Sequence, residues 1–413
     1  MAEIGIIAAV LFAYSLVSDK LSGWAITPPM VFVAAGVLLG PDVLGVFDLT
    51  LTGETGLALA EIALVIVLFA DAARIDLRAL SGNRNLPVRL LGIGMPLTII
   101  LGVLIGAVLL KEVEFWEAAI VAAILAPTDA ALGQAVVSSQ KVPQRIRQAL
   151  NVESGLNDGL SIPFLFLFVG LAVTETVVTA TGWATFVIEQ IGIGAGVGLA
   201  TGLAGGFLFE RATDRDLVST PFQQLGLVGL AVGSWALADF LGGNGFIAAF
   251  TAGLAAGRIT PHTGQRILAF TEDEGQLLNL IIFFVFGASA ITLLDGLTWH
   301  VIVYGLLSLT LIRMVPVAIS TIGTGLKRSS VLFMGWFGPR GLASIILALV
   351  VIEEEPELPA LATVLAAMTF TVLVSVFAHG LTAEPLINLY SRVIRSDGAA
   401  AESEEAMELQ IRK

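Results

Sequence analysis

Long apolar runs alternate along the chain with short clusters of glycine, proline and charge. The runs lie near 4–18, 27–40, 55–73, 86–110, 114–138, 143–172, 181–209, 222–240, 244–257, 265–294, 299–323, 329–351 and 358–379. Most are long enough to cross about 30 Å of hydrocarbon as helices rising about 1.5 Å per residue. The short alternating segments of a transmembrane barrel do not occur. Only helices and closed barrels satisfy every backbone group inside lipid, so the pattern predicts an all-α polytopic membrane protein of about thirteen transmembrane helices.

Three stretches interrupt this pattern in the middle of a run. In ILAPTDAALGQAVV, Pro127 removes a backbone hydrogen bond, and Thr128 and Asp129 are residues that cap helices. The span over 114–138 should therefore split into two half-helices. MGWFGPRGLASIILALV puts Gly338, Pro339, Arg340 and Gly341 at the centre of 329–351, with the same expected result. NVESGLNDGLSIPFLF carries Glu153, Ser154, Asn157 and Asp158 into the middle of the run over 143–172, at bilayer depth.

The second half echoes the first at an offset near 217, with Gly36 and Gly40 of FVAAGVLLG matching Gly253 and Gly257 of FIAAFTAGLAAG. LFADA at 68–72 parallels VFGAS at 285–289, and Pro127 and Pro339 lie 212 residues apart. One odd span, near 181–209, makes the two halves inverted. The expected organisation is a first inverted repeat of six spans over 1–172, a linker helix in 173–215, a second repeat over 216–395 and a short acidic cytoplasmic tail over 396–413. Inverted repeats with corresponding broken helices are the plan of secondary transporters.

Composition agrees: 56% apolar residues, 13% charged residues and a mean hydropathy of +0.91 lie outside the range of soluble domains. With no cysteine, disulfides and thiolate metal sites are excluded. Of the 21 Lys and Arg residues, all but Lys111, Arg313 and Arg340 fall on one side when the connections are numbered alternately. The positive-inside rule then places the C-terminus in the cytoplasm and the N-terminus outside, in the plasma membrane. The N-terminal segment lacks a basic n-region and reads as a retained first helix. GIGAGVGLATGLAGG, at 192–206, lies inside an apolar span and reads as a helix-packing face, not a nucleotide loop. His262, His300 and His379 fall near span ends and read as snorkelling side chains.

Charges in hydrocarbon cost about 2.5 to 3.5 kcal/mol each, so Asp129, Glu153, Asp158 and Arg340 must pair, line water or bind an ion. One arginine does not neutralise three carboxylates, and the surplus points to a site completed by a cation or a proton. Helical spacing puts Ser154 and Asp158 on one face, with Glu153 and Asn157 on an adjacent one. Glu153 is expected to pair with Arg340, while Arg313 has no legible partner. Asp158, Asp129, Ser154 and the Thr128 carbonyl remain as hard oxygen ligands suited to Na⁺ or another alkali ion. Asp129 also suits the N-cap of the second half-helix, and the two roles are compatible. Proton and cation then compete for Asp158. If the site changes sides only when occupied, that competition is exchange.

PTDA on the fifth span, ESGLNDG on the sixth, GPRGLAS on the twelfth and HGLTAEPL at the end of the thirteenth carry a family likeness. Together they resemble the monovalent cation:proton antiporter superfamily, in the NhaP-like branch of sodium/proton antiporters whose sixth helix bears Asn-Asp. The resemblance implies two six-helix inverted repeats with crossed broken helices, a core and a dimerisation domain, elevator-like alternating access and a homodimer in lipid. It maps Thr128, Asp129, Ser154 and Asp158 onto the cation site, with Asn157, Glu153 and Arg340 supporting it. Asp71, in ADAARIDL, stands where relatives carry an acidic residue, though here no glycine follows. The Asn-Asp pair implies electroneutral one-for-one exchange of Na⁺, or of K⁺ or Li⁺, for H⁺, with no enzymatic activity, organic cofactor or nucleic acid. Two other classes stand beside this one. A sodium-coupled solute symporter on the same plan needs a roomy cavity, and an intramembrane aspartyl protease needs two Asp residues sharing a proton.

Overall fold

The computed structural model describes residues 2–22, 25–48, 54–73, 85–173, 188–259, 261–355 and 357–397. Beyond Asp397 the expected tail lies outside the described residues, as do 174–187 of the expected linker and the side chain of Asp71. Every regular element among the described residues is helical.

In chain order these are α1 (Ala2–Ser15), a short α2 (Ser18–Ser22), α3 (Pro28–Leu39) and α4 (Glu54–Ala73). Next comes α5 (Asn85–Arg89), continued by a π-helical turn, Leu90–Gly94, into α6 (Met95–Leu109), and then α7 (Phe115–Ile124), α8 (Ala130–Val137) and α9 (Gln144–Val173). A second π-helical turn, Ile188–Ile193, leads into α10 (Gly194–Thr213), followed by α11 (Thr220–Phe240), α12 (Gly245–Ile259) and α13 (Pro261–Leu293). The last five are α14 (Trp299–Leu309), α15 (Leu311–Ser320), α16 (Arg328–Trp336), α17 (Leu342–Glu354) and α18 (Leu361–Asp397). Five helical stretches are long and apolar enough to cross a membrane: Leu86–Leu109, Gln144–Ala172, Glu189–Thr213, Trp299–Ser320 and Leu361–Ile394.

Both expected breaks are present, between α7 and α8 and between α16 and α17. A third interruption, at Thr310, is not marked by the apolar pattern over 299–323. There the backbone turns to φ −116° and ψ −91° between α14 and α15. The Thr310 hydroxyl donates to the Leu306 carbonyl at 2.7 Å, and Pro316 has no N–H for the Ile312 carbonyl, so the ladder is weakened on both sides. The final helix also runs past the expected end at 379, because HGLTAEPL continues the helix to Asp397.

Two compact units are distinguished, and each draws on both halves of the chain. The first comprises Met1–Leu57, Gly82–Asn157 and Asn279–Lys413; the second comprises Ala58–Ser81 and Asp158–Leu278. In the first, Leu90, Ile146, Leu150, Val317, Phe333, Met334 and Ile387 form an apolar core that binds α9, α15, α16 and α18 together. The Phe333 ring stacks on Tyr390 at 4.2 Å, and the Tyr390 hydroxyl donates to Ser330 Oγ at 2.8 Å. Arg89 donates to the carbonyls of Ser320 and Ile322, each at 2.6 Å, capping the C-terminal end of α15 with a positive charge.

Glycines set the closest helix approaches in each unit. In the first, a Cβ on Gly36 would strike the Phe284 carbonyl, and one on Gly40 would lie 2.8 Å from the Ala288 carbonyl. In the second, Gly253 and Gly257 bear in the same way on the carbonyls of Phe69 and Ala73. The two glycine pairs are 217 residues apart and their partners 215, so one contact recurs in both halves of the chain.

The glycine-rich segment is a packing face, as its sequence suggests. Gly194, Gly198, Gly202 and Gly206 recur every fourth residue on α10 and lie against Asn244, Ala248, Ala252 and Ala256 on or beside α12. A Cβ at Gly202 would meet the Ala252 carbonyl, leaving no space for any side chain. Gly202→Leu is therefore expected to cost about 3 kcal/mol or more through overpacking, read as a fall in melting temperature in detergent. Gly229→Leu, at a position where a Cβ would have nothing within 4 Å, should melt like the parent.

Candidate cation site

The two chain breaks are tied to each other through Asp129. Its backbone N–H donates to the Pro339 carbonyl at 2.8 Å. Its Oδ1 accepts the Leu132 N–H at 2.8 Å, capping α8, and its Oδ2 accepts the Leu342 N–H at 2.6 Å, at the start of α17. One carboxylate thus faces the positive ends of two half-helices, where a negative charge is most stabilised. Glycine is required at 341 because a Cβ there would overlap Asp129 Oδ2.

Arg340 supplies the opposite charge at the opposite kind of end. Its Nη1 donates to the carbonyls of Ala126 and Pro127, each at 3.0 Å, just past the C-terminal end of α7. The residue is fully buried.

The expected Glu153–Arg340 pair does not form. Glu153 is held instead by Arg313 of α15, with Nη2 donating to Oε2 at 2.9 Å and Nη1 donating to Oε1. Both side chains are buried, and the fork-to-fork geometry is the strong form of the contact. Arg340 is occupied by the α7 carbonyls, and Arg313, which has no partner legible in the sequence, takes its expected place beside Glu153.

The polar residues of α9 meet the first break. Asn157 Nδ2 donates to Thr128 Oγ1 at 2.7 Å, and the Thr128 and Ser154 hydroxyls lie 3.1 Å apart. Asn157 Oδ1 is buried with no hydrogen-bond partner among the described residues. Asp158 follows Asn157 directly in α9, is half-buried, and stands one turn beyond Ser154. The contacts therefore gather Thr128, Ser154, Asn157 and Asp129 at the first break, while Glu153 and Arg313 form a separate buried pair. A small cleft, with room for about one water-sized particle, reaches Ser154 between Gly133, Val137, Asn151, Phe337 and Pro339.

His379 also departs from expectation. It does not snorkel at a span end but is 1% exposed inside α18, with Nε2 2.9 Å from the Trp336 carbonyl. No local signal places it there: Gly380 and Pro385 read as helix breakers, yet α18 continues through both.

The chain is similar along most of its length to named transporters. It is 26% identical over 351 residues to the K(+)/H(+) antiporter NhaP of Alkalimonas amylolytica, covering 83% of this chain and 59% of that protein. It is 28% identical over 357 residues to the Na(+)/H(+) antiporter ApNhaP of Aphanothece halophytica, covering 82% of this chain and 66% of that one. The chain thus spans roughly half to two thirds of the length of the curated relatives it matches. Its fold is that of the sodium proton antiporter MjNhaP1 from Methanocaldococcus jannaschii, with a TM-score of 0.76 and 21% identity, covering 94% of this chain and 98% of that one. The family profile described as sodium/hydrogen exchanger, transmembrane, matches residues 6–389, and the chain belongs to that family.

Proposed function

We propose that the protein exchanges one monovalent cation for one proton across a membrane, with cation and proton competing for Asp158. The observation that carries this reading is the charge count at the polar centre. Asp129, Glu153 and Asp158 bring three negative charges, and Arg313 and Arg340 bring two positive ones. Glu153 is matched by Arg313, and Asp129 and Arg340 each face helix ends of opposite sign. Three carboxylates beside two arginines suit a site that also takes one exchangeable positive charge, either H⁺ or an alkali ion. Asn157 adds hydrogen bonding without a second titrating group. Exchange at a single charge is electroneutral.

Na⁺ is the expected cation, with K⁺ and Li⁺ as alternatives; the names of similar proteins include both Na(+)/H(+) and K(+)/H(+) antiporters. Thr128, Asp129, Ser154 and Asp158 form the proposed binding set, supported by Asn157, Glu153, Arg340 and Asp71. The cleft at Ser154 offers Asn151 and Ser154 as its polar side chains and is far smaller than an organic solute would need.

Thirteen spans in two inverted repeats are supported by the recurring glycine contacts and by eight shorter apolar helices beside the five long ones. Alternating access of an elevator type, a homodimer, and an orientation with the N-terminus outside and the C-terminus in the cytoplasm complete the reading. The test is proton movement in proteoliposomes carrying an internal pH dye, with Na⁺, K⁺ and Li⁺ applied in turn and the voltage clamped by ionophore. Cation-driven alkalinisation indifferent to voltage is expected. A rate that follows voltage would replace the one-for-one stoichiometry, and proton movement with no cation would turn attention to solute symport or peptide cleavage.

A further inference from the structure

Four half-helix ends meet at the two breaks, and three of them face a charge. Asp129 serves the N-terminal ends of α8 and α17, and Arg340 serves the C-terminal end of α7. The fourth, the C-terminal end of α16, is served from α18. There His379 Nε2 lies 2.9 Å from the Trp336 carbonyl. One turn earlier, Ser375 Oγ accepts the Arg340 backbone N–H at 2.7 Å and lies 3.1 Å from His379 Nδ1.

His379 Nδ1 lies 3.1 Å from the Ser375 hydroxyl and 3.0 Å from the Ser375 carbonyl. A carbonyl only accepts, so in the tautomer with its hydrogen on Nε2 the ring donates to the Trp336 carbonyl and Nδ1 accepts from the Ser375 hydroxyl. In that tautomer hydrogen bonds run in one direction from the Arg340 N–H through Ser375 and His379 to the Trp336 carbonyl. Residues 336 and 340 bracket the break, so the chain of bonds closes around it. Both side chains are buried, and the Trp336 ring, 5.0 Å from the imidazole, is itself fixed by its Nε1 donating to Thr382 Oγ1 at 3.0 Å.

We propose that Ser375 and His379 form a clamp across the α16–α17 break. They act as positioning residues that set the register in which Arg340 reaches the α7 carbonyls and the Leu342 amide reaches Asp129, and through it the cation affinity of the crossing. The effect on affinity rests on the exchange reading above; the clamp itself does not.

Amide hydrogen exchange on the full-length protein reads the clamp without reference to transport. In His379→Leu a peptide covering 337–342 is expected to exchange about tenfold faster, the change that loss of one buried hydrogen bond produces. His379→Gln keeps one donor and one acceptor and should exchange like the parent. In proteoliposomes the half-saturating cation concentration should rise about tenfold in His379→Leu, more than the maximal rate falls, and return to the parent value in His379→Gln.

Glu117→Gln is the matched control for stability. Glu117 is buried far along the chain from the break and joins the Glu114 and Ala360 amides, at 2.8 and 2.9 Å. That variant should lower the melting temperature without moving half-saturation. If His379→Leu does not fold, Ser375→Ala is read in its place, with the same direction expected.

Unchanged exchange over 337–342 in a folded variant overturns the clamp. Faster exchange with unchanged half-saturation, or an equal affinity loss in Glu117→Gln, overturns its part in cation binding. A parent protein that moves no protons with any cation sinks the exchange reading, and hydrogen exchange alone then decides the clamp.

Discussion

Asp158→Asn is expected to abolish cation-driven proton movement while the protein still folds. The amide keeps the shape of the side chain but neither binds a proton nor presents a charge to a cation. In the exchange reading it removes the carboxylate for which cation and proton compete. With no titrating carboxylate the proposed site has no proton to exchange, so the rate should fall to background. The measurement is the initial rate in proteoliposomes beside a melting curve in detergent. Asp158 is half-buried and the amide has the same shape, so the variant should still melt cooperatively near the parent temperature. An Asp158→Asn protein with full exchange would remove Asp158 from the site.

The second large effect is on stability. Arg313→Ala leaves the Glu153 carboxylate buried and unmatched, at an expected cost of about 3 to 5 kcal/mol. Glu153→Gln strands Arg313 in the same way. Replacing both, as in Glu153→Gln with Arg313→Met, removes the two buried charges together and should recover most of the loss. Melting temperatures of the parent, two single variants and the double variant form a cycle that reads this coupling. Additive losses would mean that the pair does not act as a unit. Arg340→Ala strands the Ala126 and Pro127 carbonyls, not a carboxylate, so its loss should not be rescued by any change at Glu153.

These two predictions rest on different kinds of knowledge. The place of Asp158 midway along α9 is legible in the sequence, because a polar heptad there sits inside an otherwise apolar run. The breaks at Pro127 and Pro339 are legible for a similar reason: proline removes a donor wherever it stands, and the Thr-Asp and Gly-Pro-Arg-Gly neighbours suit cap and turn conformations. The interruption at Thr310 is not, since threonine is tolerated within helices and the backbone turn there shows only in the structure.

The partner of Glu153 escapes the sequence because helical spacing reports which residues share a face of one helix and nothing about the helix opposite. Arg340 and Arg313 are both arginines inside apolar spans, and no local rule separates them. Packing does: α15 carries Arg313 to Glu153, 160 residues away in sequence, while the turn at 337–341 points Arg340 at the α7 carbonyls. His379 escapes it for a related reason. Hydropathy falls at HGLTAEPL, but α18 continues and neighbouring helices bury the imidazole.

The sequence by itself determined the all-helical membrane class, both breaks, the packing role of the glycine stripe and which ionisable residues lie inside apolar runs. All of these follow from costs that each residue carries with it: desolvation of a charge, loss of a backbone bond at proline, the missing Cβ of glycine. Only the tertiary structure decided that Asp129 joins two half-helices, that Arg313 holds Glu153, and that Ser375 and His379 close the second break. Those are pairings at hydrogen-bond distance between residues far apart in the chain, and such a distance is set by the packing of whole helices.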